Sequence, residues 1–149
     1  MKATDLMIGD WLQYKGQFNA FPFRVEQITK RKVGYHAEPN ENRMHYLRLL
    51  EALPIPLTPE IMKKNGFKTA GCDYVFTDSD PDIVIDLFEP NNPRYKKTKE
   101  EYQKEVGISL LQSNYLFGPL DAAIIIKAYY VHELQHFIKP CGIEREIVI

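Results

Sequence analysis

Apolar and polar positions alternate over short stretches in the first part of the chain. Phe23-Arg24-Val25-Glu26-Gln27-Ile28 alternates over most of its length and predicts a half-buried strand. Lys30-Arg31-Lys32 then predicts a charged turn, and Val33-Gly34-Tyr35-His36 the return strand. Tyr46-Leu47-Arg48-Leu49-Leu50 predicts another strand after a polar loop. Ahead of these, Gly9-Asp10 suits a turn leading into Trp11, Leu12 and Tyr14. Several short strands in so little chain predict a small antiparallel β-barrel or roll over residues 1–53.

Prolines punctuate 54–57 and predict a connector. A helix should follow. Thr58 is a good N-cap, Pro59 fits the first helical position, Glu60 favours the positive end of the dipole, and Asn65-Gly66 supplies the stop. Asp73-Tyr74-Val75-Phe76-Thr77 and Ile83-Val84-Ile85-Asp86-Leu87-Phe88 read as strands, as do Ile108–Leu111 and Tyr115-Leu116-Phe117. Ile124-Ile125-Ile126 is β-branched and predicts a central strand. Thr98 and Glu101 have capping-box spacing, compatible with a short helix or a solvated loop. Tyr130, Val131, Leu134, Phe137 and Ile138 form the stripe of a helix over 129–139, ended by Pro140 and Gly142. The tail Ile143–Ile149 alternates again and predicts a strand. The fold class expected is α+β, with a barrel-like module at 1–53 and a mixed-sheet module at 58–149 carrying the packed helix.

Composition narrows the class. The chain has 149 residues, is 44% hydrophobic and 12% aromatic, and can therefore bury a core. Its net charge of −1 gives no global basic excess and argues against a nucleic-acid partner. No apolar run approaches the roughly 20 residues of a membrane span. The start lacks a signal-peptide core, so a cytoplasmic protein is expected. Cys72 and Cys141 read as reduced, partly buried thiols.

The strongest candidate chemistry is His132-Glu133-Leu134-Gln135-His136. It fits the zinc signature in which two histidines one helical turn apart hold the metal and the glutamate is general base. Both imidazoles project away from the apolar stripe. That places them either in a cleft or on the wet face of an ordinary packed helix. A catalytic zinc needs a third protein ligand. Cys141, Glu144 and Glu146 are nearby, but none stands at a peptidase spacing, and His36 and His45 lie upstream of the usual order. The match therefore reads as coincidental, on a solvated face.

Three segments carry a resemblance: Leu6-Met7-Ile8-Gly9-Asp10-Trp11, then Ile55–Ile61 with Asn65-Gly66-Phe67, and Tyr130-Val131-His132-Glu133-Leu134-Gln135. Together they resemble the uncharacterised small proteins of prophages and conjugative elements of anaerobic gut bacteria. The resemblance implies a role tied to a mobile element and carries no activity or cofactor with it. In similar proteins the last segment looks like Tyr-Val-His-x-Leu-Gln, so a glutamate and a second histidine need not accompany the first.

Two further patterns have bland readings. Asp78-Ser79-Asp80-Pro81-Asp82 with Glu89 approaches the spacing of a calcium loop, but Ile83 stands where that loop needs glycine. Arg24, Lys30, Arg31 and Lys32, with Arg43 and Arg48, form a candidate basic patch. Tyr14, Phe18, Phe21, Phe23, Tyr35 and Tyr46 are aromatics able to stack on bases or to build a small core. The reading that results is a non-catalytic accessory or interaction protein with no cofactor. The alternatives are a zinc hydrolase using His132, His136 and Glu133, or a nucleic-acid-binding barrel. The sequence sets neither the protein partner nor the oligomeric state.

Overall fold

The computed structural model describes residues 1–16, 20–70, 73–76, 83–87, 98, 101, 104, 106–112, 122–141, 143 and 146–149. The chain forms two compact units, Met1–Pro56 with Tyr130–His136, and Leu57–Tyr129 with Phe137–Ile149. The expected modules placed the whole C-terminal helix with the second sheet. Its Tyr130–His136 portion instead clusters with the N-terminal residues.

The first unit contains β1 (Trp11–Tyr14), β2 (Pro22–Arg24), β3 (Gln27–Ile28), β4 (Lys32–Tyr35), β5 (His45–Arg48) and β6 (Ala52–Pro54). They make two antiparallel three-stranded sheets, ordered β2-β1-β6 and β3-β4-β5. The described strands do not close into a barrel. The predicted strand over Phe23–Ile28 is divided, because the chain passes from one sheet to the other within it. The Val25 N–H donates to the Asp10 carbonyl, and the Glu26 N–H to the Gly34 carbonyl. Leu12 and Phe23 from one sheet and Val33 and Tyr35 from the other share one buried core with Leu6, Val25 and Ala52. Phe21 packs on this core, its ring centroid 5.3 Å from that of Tyr14 and 6.0 Å from that of Tyr35. The connector expected at 54–57 is in part a strand, since Pro54 pairs with Leu12. It is tolerated there because β6 is an edge strand.

In the second unit, α1 (Pro59–Lys64) starts and stops as its sequence dictates. The Thr58 hydroxyl accepts from the Ile61 N–H at 3.3 Å. Gly66, at φ +80°, places its N–H on the Lys63 carbonyl and that of Phe67 on the Met62 carbonyl. These are the two bonds of a Schellman ending, and Phe67 is buried behind it. A five-stranded sheet follows, ordered β10-β11-β9-β8-β7. Its strands are β7 (Lys68–Ala70), β8 (Asp73–Phe76), β9 (Ile83–Leu87), β10 (Gly107–Gln112) and β11 (Ala122–Ala128). The isoleucine-rich β11 lies inside the sheet, antiparallel to β10 and parallel to β9. Thr98 and Glu101 exchange the two bonds of a capping box, Thr98 N–H to the Glu101 carboxylate at 2.8 Å and Glu101 N–H to the Thr98 hydroxyl at 3.3 Å.

The described part of the tail is not the expected strand. Its alternation is real, with Ile143 and Ile147 buried, but the ladder partner is a side chain. The Asn65 amide donates to the Val148 carbonyl at 2.7 Å and accepts from the Val148 N–H at 2.8 Å. A buried asparagine thus stands in for a neighbouring strand. The α+β class holds. Among the described residues no helix is long and apolar enough to cross a membrane.

Candidate functional site

The zinc-like segment lies on α2 (Val131–Ile138). The predicted stripe is present, with Val131, Leu134 and Ile138 at 0%, 0% and 2% exposure. The opposite face is not wet. His132 is only 7% exposed, and His136 is half-buried. The expectation of a solvated histidine face fails, at His136 because a turn near the N-terminus meets it and at His132 because its ring packs on Tyr130 and His136.

The turn is Met7-Ile8-Gly9-Asp10. The Asp10 N–H returns to the Met7 carbonyl at 3.2 Å, with Gly9 at φ +96°. A side chain at Gly9 would be strained in that left-handed region. The Asp10 carboxylate is buried and accepts from the Met7 N–H at 2.7 Å. Its two oxygens also lie 2.9 and 3.0 Å from His136 Nε2. Gln135 grips the backbone on either side of Asp10. Its amide donates to the Gly9 carbonyl at 3.1 Å and accepts from the Trp11 N–H at 3.0 Å. Gln135 and His136 therefore form a clasp on Gly9-Asp10-Trp11. The first and last of the three segments that carry the sequence resemblance meet here.

The remaining members of the zinc signature are also engaged. The Glu133 carboxylate turns back along the helix and accepts from the Tyr130 N–H at 3.0 Å, the glutamate half of a capping box. The His132 ring stacks on Tyr130 at 5.8 Å and meets the edge of His136 at 5.8 Å. Its Nδ1 is buried without a hydrogen-bond partner among the described residues. Burial pushes the His132 pKa down, opposed by the nearby carboxylates of Glu133, Asp10 and Asp5 and reinforced by His136. His45 is occupied elsewhere, 2.8 Å from the Glu41 carboxylate. Among the described residues no three His, Cys, Asp or Glu side chains group as metal ligands.

The depressed His132 pKa gives stability a definite pH dependence. Between the folded value and the unfolded value of about 6.5, the unfolded chain binds more protons. The contribution is therefore complete above about pH 6.5 and is lost as pH falls through the window below it. Urea melts at pH 7.5 and pH 5.0 should show a smaller acid loss for His132→Gln than for the wild type. Equal losses would remove His132 as the cause.

The other nominated residues scatter. Arg24 is in β2, where its guanidinium lies 3.5 Å from where a Gly9 Cβ would stand. Lys30, Arg31 and Lys32 are exposed in the other sheet's β3-β4 turn and at the start of β4. Cys141 is a free, half-buried thiol whose Sγ donates to the Phe137 carbonyl at 3.2 Å, and burial raises its pKa. Cys72, Phe18, Gly142, Glu144, the 115–117 segment and the acidic segment 78–82 with Glu89 lie outside the described residues. Asp10 and Gln135 carry no local mark of their partnership. Their only signal was membership of the segments that carry the resemblance. Comparison with family models, curated proteins and solved structures finds no match to this chain.

Proposed function

We propose that this chain is a non-catalytic interaction protein acting in the cytoplasm as an accessory of a mobile element. One observation carries the non-catalytic reading. Two of the three groups that a zinc hydrolase would turn towards metal and water are committed to holding the fold, Glu133 to the Tyr130 N–H and His136 to Asp10. A general base must face the reacting water. Here the glutamate caps its own helix. The tie to a mobile element rests on the sequence resemblance, whose end segments are those that the clasp joins. The N-terminal unit serves as a roll-like scaffold, a reading supported by the passage between sheets at Val25-Glu26.

Metal analysis of protein purified without chelator tests the reading. The expected result is well below one equivalent of zinc, unchanged in His132→Ala. Near-stoichiometric zinc that disappears in His132→Ala would overturn the reading.

A further inference from the structure

The outer face of β3-β4-β5 has features that core packing does not account for. Of the aromatics nominated from sequence, Tyr14, Phe21, Phe23 and Tyr35 belong to the core or pack on it. Tyr46 points outward from β5 and is 51% exposed. Its hydroxyl donates to the Gln27 side chain at 2.7 Å, across the intervening strand. Between them lies Gly34, the register partner of both. A Cβ there would stand 3.2 Å from the Tyr46 ring, 3.1 Å from Gln27 Cβ and 3.0 Å from Met44 Sδ. Gly34 has no positive φ to explain it. What it provides is room for the tyrosine ring beside the strand. The ring is fixed at its hydroxyl and open to solvent over much of its surface.

Cations stand beside it along the same face. Arg48 lies two residues along β5 on the same face, and Lys32 is directly opposite Arg48. Like charges in that position disfavour the sheet. Glu51 offsets Arg48 through a 2.7 Å bond, while the Arg48 side chain stays 69% exposed. Lys30 and Arg31 extend the positive charge into the turn. The chain's net charge of −1 does not describe this face.

We infer that the outer face of β3-β4-β5 binds single-stranded nucleic acid, with Tyr46 stacking on a base and Lys32, Arg48 and the Lys30-Arg31 turn meeting phosphates. A fixed, exposed ring flanked by cations is the arrangement by which small β scaffolds hold single strands without reading sequence. Double-stranded DNA does not offer an unstacked base to the ring. The inference names the partner class of the interaction protein proposed above and rests on that reading.

Fluorescence anisotropy of labelled dT15 and rU15, with a 15-base-pair duplex as comparison, tests it. Both single strands should bind more tightly than the duplex. Affinity should fall with salt, with a slope of about −0.7 for each phosphate neutralised. Lys32→Ala should flatten that slope by about 0.7. Tyr46→Ala should weaken binding about 5- to 150-fold, the range for losing one stacked base. Tyr46→Phe keeps the ring and should retain most of the affinity, provided both variants show wild-type circular dichroism. Absence of salt-sensitive binding to either strand overturns the inference. So does binding that Tyr46→Ala leaves unchanged, or an equal affinity for duplex. Metal analysis judges the non-catalytic reading separately, so the two can fail independently.

Discussion

Truncating Leu134 to alanine should lower the unfolding free energy by about 2–5 kcal/mol, the largest loss expected from a single change in α2. Leu134 is 0% exposed, so the removed atoms leave a cavity as well as forfeiting transfer energy. A shift in urea midpoint without a change in slope would attribute the effect to the native state. Leu134 is also one of the two unspecified residues of the zinc signature, so a zinc-centred account gives it no special weight. A loss below about 0.5 kcal/mol, the range of exposed substitutions, would mean that the stripe is not a packing face.

Asp10→Ala should be the most damaging change outside the apolar stripe. It removes the acceptor of the Met7 N–H and of His136 Nε2 together. The half-buried His136 Nε2 loses its partner at a cost of about 1–3 kcal/mol, and the Met7 N–H loses its bond as well. Asp10→Asn keeps the shape and one carbonyl oxygen, and should recover part of the loss. Gln135→Ala removes the other half of the clasp and should fall in the same range, since it strands the Gly9 carbonyl and the Trp11 N–H. Urea melts check all three. If Asp10→Ala were as stable as the wild type, the turn and helix would be held by something other than the clasp.

The elements that the sequence makes legible are those written locally. Thr58, Pro59 and Gly66 mark both ends of α1 within a few residues of the bonds they make. The stripe of α2 repeats within two turns, and the isoleucines of β11 declare a strand with neighbours on both sides. What misleads is set by residues far away. A helix face opposite the apolar stripe is wet unless something covers it, and what covers His136 is Asp10, 126 positions earlier. The tail alternates as a strand does, yet its Val148 backbone is paired by an asparagine side chain 83 positions back. Pro54 hides β6 because proline reads as a breaker unless the strand is known to be an edge. Among the aromatics, composition cannot separate Tyr46 from Tyr35. Strand register does, because neighbouring positions face opposite sides.

The zinc signature shows the same division. Its spacing correctly places two histidines on one side of a helix, and spacing alone could not say what they meet. The structure pairs one with Asp10 and stacks the other on Tyr130.

A double-mutant cycle between Asp10→Ala and His136→Gln, followed by urea melts with chelator present throughout, measures the clasp most directly. The expected result is a coupling of about 0.5–3 kcal/mol, the range for residues in direct contact. It should be the same when zinc replaces the chelator. A coupling near zero in chelator that appears only with zinc would contradict the clasp and make these residues a metal site.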